Sequence, residues 1–495
     1  MNADNAYKPV RISCQCARRH EAHGAFDSIR VYLRLSAAAL ALALAGCMVG
    51  PDYKKPDVVP PEKFPVQFKE AGDWVVARPS DAVPKGKWWE AFRDPVLNGY
   101  VEQVEVSNQS LAAAMARYRQ AQAATHSARS ALFPVLGYDV SAQRSGQGTG
   151  IVTGSGVGNR YQAELNARWE IDLWGSIRRQ VEAASATEQA SAADLVNARL
   201  SLQAQLVINY FLLRVADVQG VLLEDTLKAF ETSYKMTQNR YVGGVAARVD
   251  VVQAEAQLLS TRASLVDLKA TRATLEHSIA VLIGKSPAEV SIEPVKFDPH
   301  LPDIPPGVPS TLLERRPDIA EAERNMAAAN ARIGVAVAAY FPALNLSGFY
   351  GAASSSTGNL LKAPFRIWGL GADLAGTILD FGARSSQVDL ARAAYDEQVA
   401  NYRQTVLAGF QEVEDNLANV HWLSEETKIE QEAARAARES VVLTLNQYKA
   451  GTVSYLNVVT VQATQLNEEA KLVTLLGRRL SATVVLMRAL GGTWE

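Results

Sequence analysis

From Tyr161 to Ile171 the chain alternates. Tyr161, Ala163, Leu165, Ala167, Trp169 and Ile171 are apolar, and Gln162, Glu164, Asn166, Arg168 and Glu170 between them are polar. A period of two predicts a strand with one oily and one polar face. The segments VLGYDVSA (135–142), ALNLSGFYG (343–351) and RIWGLGADLAGTIL (366–379) predict three less regular strands. Between the paired strands, 143–160 and 353–364 are rich in Gly and Ser and read as loops. Elsewhere the period is helical. Leu456, Val459, Ala463, Leu466, Ala470, Val473, Gly477, Leu480, Val484 and Met487 keep a 3,4 spacing, as do Val249, Val252, Ala256, Leu259, Ala263, Val266, Ala270 and Ala273. Such a heptad stripe predicts helices that coil around one another. The preceding segments 176–240 and 384–446 hold no proline, and in the first Leu206, Leu213, Gly220, Leu227, Tyr234 and Tyr241 recur every seventh residue. A helix of that length is about 100 Å long at about 1.5 Å per residue. Gly243, Gly244 and Gly451 are expected to end these helices and start the return helices.

The elements occur twice. SALFPVLGYDVSA (130–142) recurs as AAYFPALNLSGFY (338–350), aligning Phe133-Pro134 with Phe341-Pro342. LWGSIRRQVEAA (173–184) recurs as DFGARSSQVDLA (380–391), and NRYVGGVAARVDVV (239–252) as NQYKAGTVSYLNVV (446–459). The near-constant offset of 207 to 208 marks two tandem units. The expected division is 92–286 and 310–491, joined by the proline-rich linker 287–309 and preceded by an extended segment, 47–91. Strands gather at one end of each unit and helical turns at the other. Strands of about 10 residues suit a membrane β-barrel, but about eight strands are the practical minimum for closing one. Either several chains share a barrel, or the four strands form a small soluble sheet.

Composition narrows the chemistry. The net charge of −2 recommends no nucleic-acid partner. The three cysteines are Cys14, Cys16 and Cys47, so the body of the chain has neither a disulfide framework nor a cysteine metal site. His126, His277, His300 and His421 lack ligand spacing. GSGVG (154–158) lacks the Lys-Ser/Thr of a nucleotide loop, and Glu412 and Glu414 read as a solvated helix face. His277 stands in a heptad position that Val484 holds in the other unit. No catalytic residues, metal or cofactor are expected. No membrane-spanning helix is expected either, for want of 18 uncharged apolar residues. Leu35–Ala45, after Arg30 and Arg34, has the layout of a signal peptide (1–46). Residues 1–30 exceed what a signal needs and suggest a different start site. Leu44-Ala45-Gly46-Cys47 resembles the lipobox of bacterial lipoproteins, which implies cleavage before Cys47 and a lipid on its thiol. Met48 in place of Asp implies the outer membrane. The prolines after Cys47 read as an extended leash.

With WWEAFRDPVLNGYV (88–101), ALFP, WEIDLWG, LLERRPDIAEAE (312–323), AYFPALNLSG, LDFG and YKAGTVSYLNVVTVQ in this order, the mature chain resembles the outer-membrane factor (TolC-like) family. The likeness is strongest to its lipoprotein branch, the channels of resistance-nodulation-division efflux pumps. It implies a mainly α protein with a membrane β-barrel: a homotrimer with four strands per chain in a 12-stranded barrel and long coiled-coil helices forming a periplasmic α-barrel. It further implies a passive export conduit, a periplasmic membrane-fusion adaptor, an inner-membrane pump and outer-membrane lipid as partners. Type I secretion, metal efflux and a lipid-anchored coiled-coil scaffold are the alternatives. The resemblance assigns adaptor contact to the helical tips: Tyr241, Gly243, Gly244 and Val245, and Tyr448, Gly451, Thr452, Val453, Ser454 and Tyr455. It assigns a constriction to the same end. Where the family commonly carries aspartates and an arginine, this chain has Asn457, Thr460 and Val453, leaving Arg248 and Asp250 in the first unit, which implies weak cation binding. Trp88, Trp89, Trp169, Trp174 and Trp368 are candidates for interfacial anchoring or equatorial packing, Trp169 and Trp368 foremost for the lipid boundary.

Overall fold

A computed structural model describes residues 48–54, 86–146, 157–302 and 315–492. The signal peptide, Cys47, residues 55–85 and most of the linker after Pro302 lie outside the described residues. The element order is α1 (Pro95–Ser107), α2 (Gln109–Ser130), β1 (Val135–Gly146), β2 (Val157–Ile171), α3 (Ser176–Val242), α4 (Arg248–Leu282), α5 (Pro317–Ala338), β3 (Ala343–Ser354), β4 (Arg366–Ala375), α6 (Ala383–Lys449) and α7 (Tyr455–Ala489). The repeat is exact in length: α3 and α6 have 67 residues each, and α4 and α7 have 35 each.

Local chemistry sets the helix ends. The Asp94 carboxylate accepts from Val96 N and Leu97 N at 2.9 and 3.1 Å, with Pro95 in the first helical position. Asn108 caps α2 through Leu111 N and donates to Leu282 O at 2.7 Å, tying α2 end to end with α4. Both long helices start after a left-handed glycine, Gly175 (φ 80°) and Gly382 (φ 95°). Side by side, α3 packs against α2, α4, α5 and α7, and α6 packs against α5 and α7. The result is a helical bundle about 100 Å long with a sheet at one end.

Midway along α3, Trp88, Trp89 and Phe92 bury against Leu206, Tyr210, Phe211 and Leu213, with Ile292 of the linker. Phe92 and Phe211 meet edge on at 4.8 Å. Below them a charged cluster ties the linker to the bundle. Asp217 accepts from Arg214 at 3.0 Å and Arg272 at 2.7 Å, and Arg214 also donates to Glu293 O at 2.9 Å. Trp88 and Trp89 thus take the equatorial role. An 18-residue window of α3 reaches a mean hydropathy of 1.6, enough by composition to cross a membrane, but 61% of it is buried inside the chain, so it serves as core.

The four strands form one antiparallel sheet in the order β1-β2-β3-β4. Two boundaries differ from expectation. Residues 143–146 and 157–160 are paired strand, as in Gln143↔Arg160, because the ladder needs backbone groups and no apolar alternation. At the other edge β4 stops at Ala375, and 376–379 is unpaired. The heptad stripes also need correction. In α7, Gly477, Leu480, Val484 and Met487 are buried, but Leu456 and Ala463 are not. In α4, Val249, Val252, Leu259 and Val266 are 48 to 62% exposed. The buried positions are instead the neighbouring Val251, Ala254, Leu258 and Thr261. The α4 stripe therefore faces away from the rest of the chain.

Candidate functional site

The sheet has two chemically distinct faces. One carries Leu136, Tyr138 and Val140 of β1, then Leu165 and Trp169 of β2, all brought into line by the register. It continues through Leu344, Leu346 and Tyr350 of β3 to Trp368, Leu370 and Leu374 of β4. Much of it is bare: Tyr138 is 81% exposed and Trp368 72%. The other face carries Arg160, Gln162, Glu164, Asn166 and Arg168, with Arg160 bonded to Gln162 at 3.1 Å and Gln162 to Glu164 at 2.7 Å. An apolar belt of this size, backed by a polar face, fits a sheet with lipid on one side and water on the other. Its two edges, β1 and β4, are open. Unpaired edges are not tolerated in hydrocarbon, so the sheet can only be one part of a barrel shared between chains. Trp169 is half-buried and donates to Leu132 O at 3.0 Å, while Trp368 stands free on the apolar face.

Just below the sheet the N-terminal segment is docked. Val49 N donates to Trp174 O at 3.1 Å. Arg179, 1% exposed, donates to Asp52 at 2.8 Å, to Glu182 at 2.7 Å and to the carbonyls of Val49 and Gly50. Asn330 donates to Pro51 O at 3.1 Å. Gly50 (φ 95°) lies so close to Gly334 that a Cβ would come within 2.5 Å of its Cα. Met48–Lys54 is therefore a seated strap and not a leash, and it places the residue after Cys47 at the junction of sheet and helices. Arg179 lies in the repeated segment LWGSIRRQVEAA (173–184), but nothing in its sequence neighbourhood marks it as the anchor.

At the far end stand the two tips. Each closes with a left-handed glycine, Gly244 (φ 76°) and Gly451 (φ 79°), and with Val245 N to Arg240 O at 2.9 Å or its equivalent, Thr452 N to Gln447 O at 3.0 Å. Gly243 caps α3 at φ −76°, so only Gly244 needs glycine's freedom. In the first tip Tyr241, Gly243, Gly244 and Val245 are exposed, and the Arg248 guanidinium lies 5.9 Å from the Tyr241 ring centre. Asp250 accepts from Ala247 N at 3.3 Å and so caps α4. In the second tip Gly451, Thr452 and Ser454 are exposed and Val453 is half-buried. Tyr448 and Tyr455, expected among the surface contacts, are instead buried against each other at 5.3 Å, with Val458 and Ala254. Burial pushes the Tyr455 hydroxyl up to about 12, with Tyr448 adding to it. Asn457 and Thr460 are exposed, Thr460 spending its hydroxyl on Leu456 O at 2.9 Å.

Sequence reasoning missed Arg240. Its guanidinium sits 4.7 Å from the Tyr448 ring centre and donates to Tyr448 O at 3.2 Å and Lys449 O at 3.4 Å, fastening one tip to the other. The available signal was a difference between repeats: Arg240 aligns with Gln447. Among the described residues no cluster of His, Cys, Asp or Glu suits a metal.

A long helical bundle, a half-lipid sheet with open edges and hairpin tips define a subunit of a shared membrane channel. The chain belongs to the outer membrane efflux protein family, whose model matches residues 100–285 and 308–492. It is 30% identical over 466 residues to the probable efflux pump outer membrane protein TtgC of Pseudomonas putida, covering 93% of this chain and 95% of that one. It is also 30% identical over 430 residues to the pyoverdine export outer membrane protein OpmQ of Pseudomonas aeruginosa, covering 85% and 90%. Among solved structures, the outer-membrane channel OprN matches with a TM-score of 0.81 at 31% identity, over 90% of this chain and all of that one. The outer membrane protein VceC of Vibrio cholerae matches with a TM-score of 0.77 at 27% identity, over 83% of this chain and all of that one. Family members are trimeric channels of the outer membrane that reach into the periplasm and work with adaptors and inner-membrane pumps.

Proposed function

We propose that three copies of this chain form the exit duct of a tripartite efflux assembly that carries small toxic molecules from a periplasmic adaptor and a resistance-nodulation-division pump to the exterior. One observation carries the reading: an apolar sheet face with two open edges, continuous with a helical wall about 100 Å long, makes a pore lining and a membrane belt in one chain. No catalytic step is assigned to the chain; transport is passive. The adaptor docks on the exposed tip residues Tyr241, Gly243, Gly244, Val245, Gly451, Thr452 and Ser454, with Val453 beside them. Tyr448 and Tyr455 act from inside, holding the second tip in shape. Cys47 carries the lipid, and the strap held by Arg179 begins at the next residue, Met48. Small-molecule export is favoured by the likeness to TtgC and OpmQ, and the same architecture would serve metal export or type I secretion.

Deleting the chain's gene in its host should lower resistance to several chemically unrelated toxicants at once, and restoring the gene should recover it. The extracted protein should run as an SDS-resistant trimer that heating dissociates. A soluble monomer after Cys47→Ser would favour a lipid-anchored scaffold and defeat the reading.

A further inference from the structure

The internal repeat specifies how one chain meets the next. Strands β1 and β3 correspond at an offset of 208, and β2 and β4 at 207: Val135↔Arg168 in the first hairpin maps onto Ala343↔Ala375 in the second. The junction between repeats is β2 with β3, in the register Ala167↔Gly348 and Asn166↔Phe349. Carrying that junction forward by one repeat brings β4 against β1 of another copy.

We propose that β4 pairs antiparallel with β1 of a partner subunit in the register that sets Leu374 opposite Val140 of the partner subunit, and that Phe381 seats on Phe133 of the partner subunit. The proposal rests on the shared-barrel reading above and adds its register and its rim contact.

Several observations agree with it independently. The register keeps the apolar face continuous, since it aligns Leu374 and Ala372 with the even-numbered, apolar side of β1; a slide of one residue would place them among Asp139 and Ser141. It extends β4 through Gly376–Ile378, where the chain alone is unpaired and Ile378 is 99% exposed. It sets Gly371 opposite Gln143 of the partner subunit, equivalent to the pair Gly351↔Glu164, where an added Cβ would come within 2.6 Å of Glu164. Each such pair then holds one glycine.

The rim contact follows from the same operation. Within the chain, Trp174 stacks on Phe341 at 4.7 Å and donates to Pro342 O at 2.8 Å. The equivalents are Phe381 and Phe133, 92% and 67% exposed in the single chain. Lower down, Val215 meets Gly477, whose added Cβ would lie 3.4 Å away. The equivalent pair is Trp422, 61% exposed, and Ala270 of the partner subunit, on the bare α4 stripe.

Residues 48–495 contain no cysteine, so engineered pairs read cleanly in the full chain. Adjacent antiparallel pairs alternate between close and wide Cα spacing, so two neighbouring pairs are made: Leu374→Cys with Val140→Cys, and Asp373→Cys with Ser141→Cys. After oxidation in outer membranes, at least one should give covalent oligomers about tenfold above Leu374→Cys paired with Tyr138→Cys or Ala142→Cys, which keep the face but slide the register by two. Equal or stronger cross-linking of a slid pair overturns the register. Absence of cross-links from both in-register pairs while the SDS-resistant trimer persists also overturns it, and leaves the shared barrel standing. Absence of that trimer from the unaltered chain defeats both proposals. Phe381→Ala should lower the trimer's dissociation temperature, and an unchanged temperature overturns the rim contact.

Discussion

Helices α3 and α6 have the same 67 residues of length and the same place in their repeats, yet α3 buries 23 residues and α6 nine. Composition does not explain this; α6 offers Leu390, Leu407, Trp422, Ile429, Val442 and Leu443, all more than half exposed. Position does. Helix α3 is flanked by its own return helices and by those of the second repeat, whereas α6 has neighbours on one side only. The tips repeat the lesson. Tyr448 is buried among Ala254, Tyr455 and Val458 with Arg240 of the first repeat over its ring, while Tyr241, its equivalent, is 42% exposed, and the residue aligned with Arg240 in the second repeat is Gln447. Two repeats in one chain satisfy one junction and leave its equivalent open at both ends.

The largest effect should come from opening the filled side. Leu213 is fully buried, and Leu213→Ala should cost about 3 kcal/mol by transfer and cavity terms. Folded yield and urea resistance should fall sharply, whereas Leu443→Ala on the open side should leave the protomer's folding unchanged and weaken only the trimer. Equal loss of folding from both would break the comparison.

A half-buried carboxyl on the filled side gives the next effect. Burial pushes the Glu321 carboxyl up to about 7 from its ordinary 4.5, Asp194 and Asp318 add to this, and Arg117 opposes it. A raised carboxyl favours the folded state while protonated. Stability should therefore fall as pH rises from about 4.5 through about 7. Glu321 is partly solvated, so screening reduces the loss to about 1–2 kcal/mol. Thermal denaturation of Glu321→Gln should lose this pH dependence and be more stable than the parent at pH 8; a parallel pH profile would refute the assignment.

Arg240→Gln makes the two tip junctions alike. Loss of the ring and carbonyl contacts, worth about 1 kcal/mol, should loosen the second tip and raise single-channel conductance severalfold. Unchanged conductance would show that the latch is not what narrows the tip. The smallest effect is expected of Asp250→Asn. With Asn457 and Thr460 in the second repeat, block by divalent cations should be weak in the parent and weaker in the variant; strong block that survives the substitution would put the cation site elsewhere.

Much of the fold was legible because it is local. The alternation at 161–171 marked β2, the glycines marked both tips, and proline-free segments set the long helices within a few residues. What failed was partner choice. The 3,4 stripe on α4 is a genuine coiled-coil pattern, but periodicity states that a face is apolar and does not say which helix covers it. Tyr448 and Tyr455 looked like surface residues because a hairpin tip usually is one; Ala254, which packs with them, and Arg240, which lies over the Tyr448 ring, both come from the first repeat, about 200 residues earlier. Arg179 is an ordinary helix cation until the strap folds onto it.

By itself, then, the sequence determined what nearest neighbours along the chain decide: helix, strand and turn, the twofold repeat and the family. Tertiary structure decided what depends on distant segments meeting: which stripe is core, which tip is covered, where the strap seats and which sheet edges stay open. The physical reason is that hydrogen-bonded periodicity is written in local spacing, whereas burial belongs to pairs of surfaces, and this chain carries only half of several such pairs.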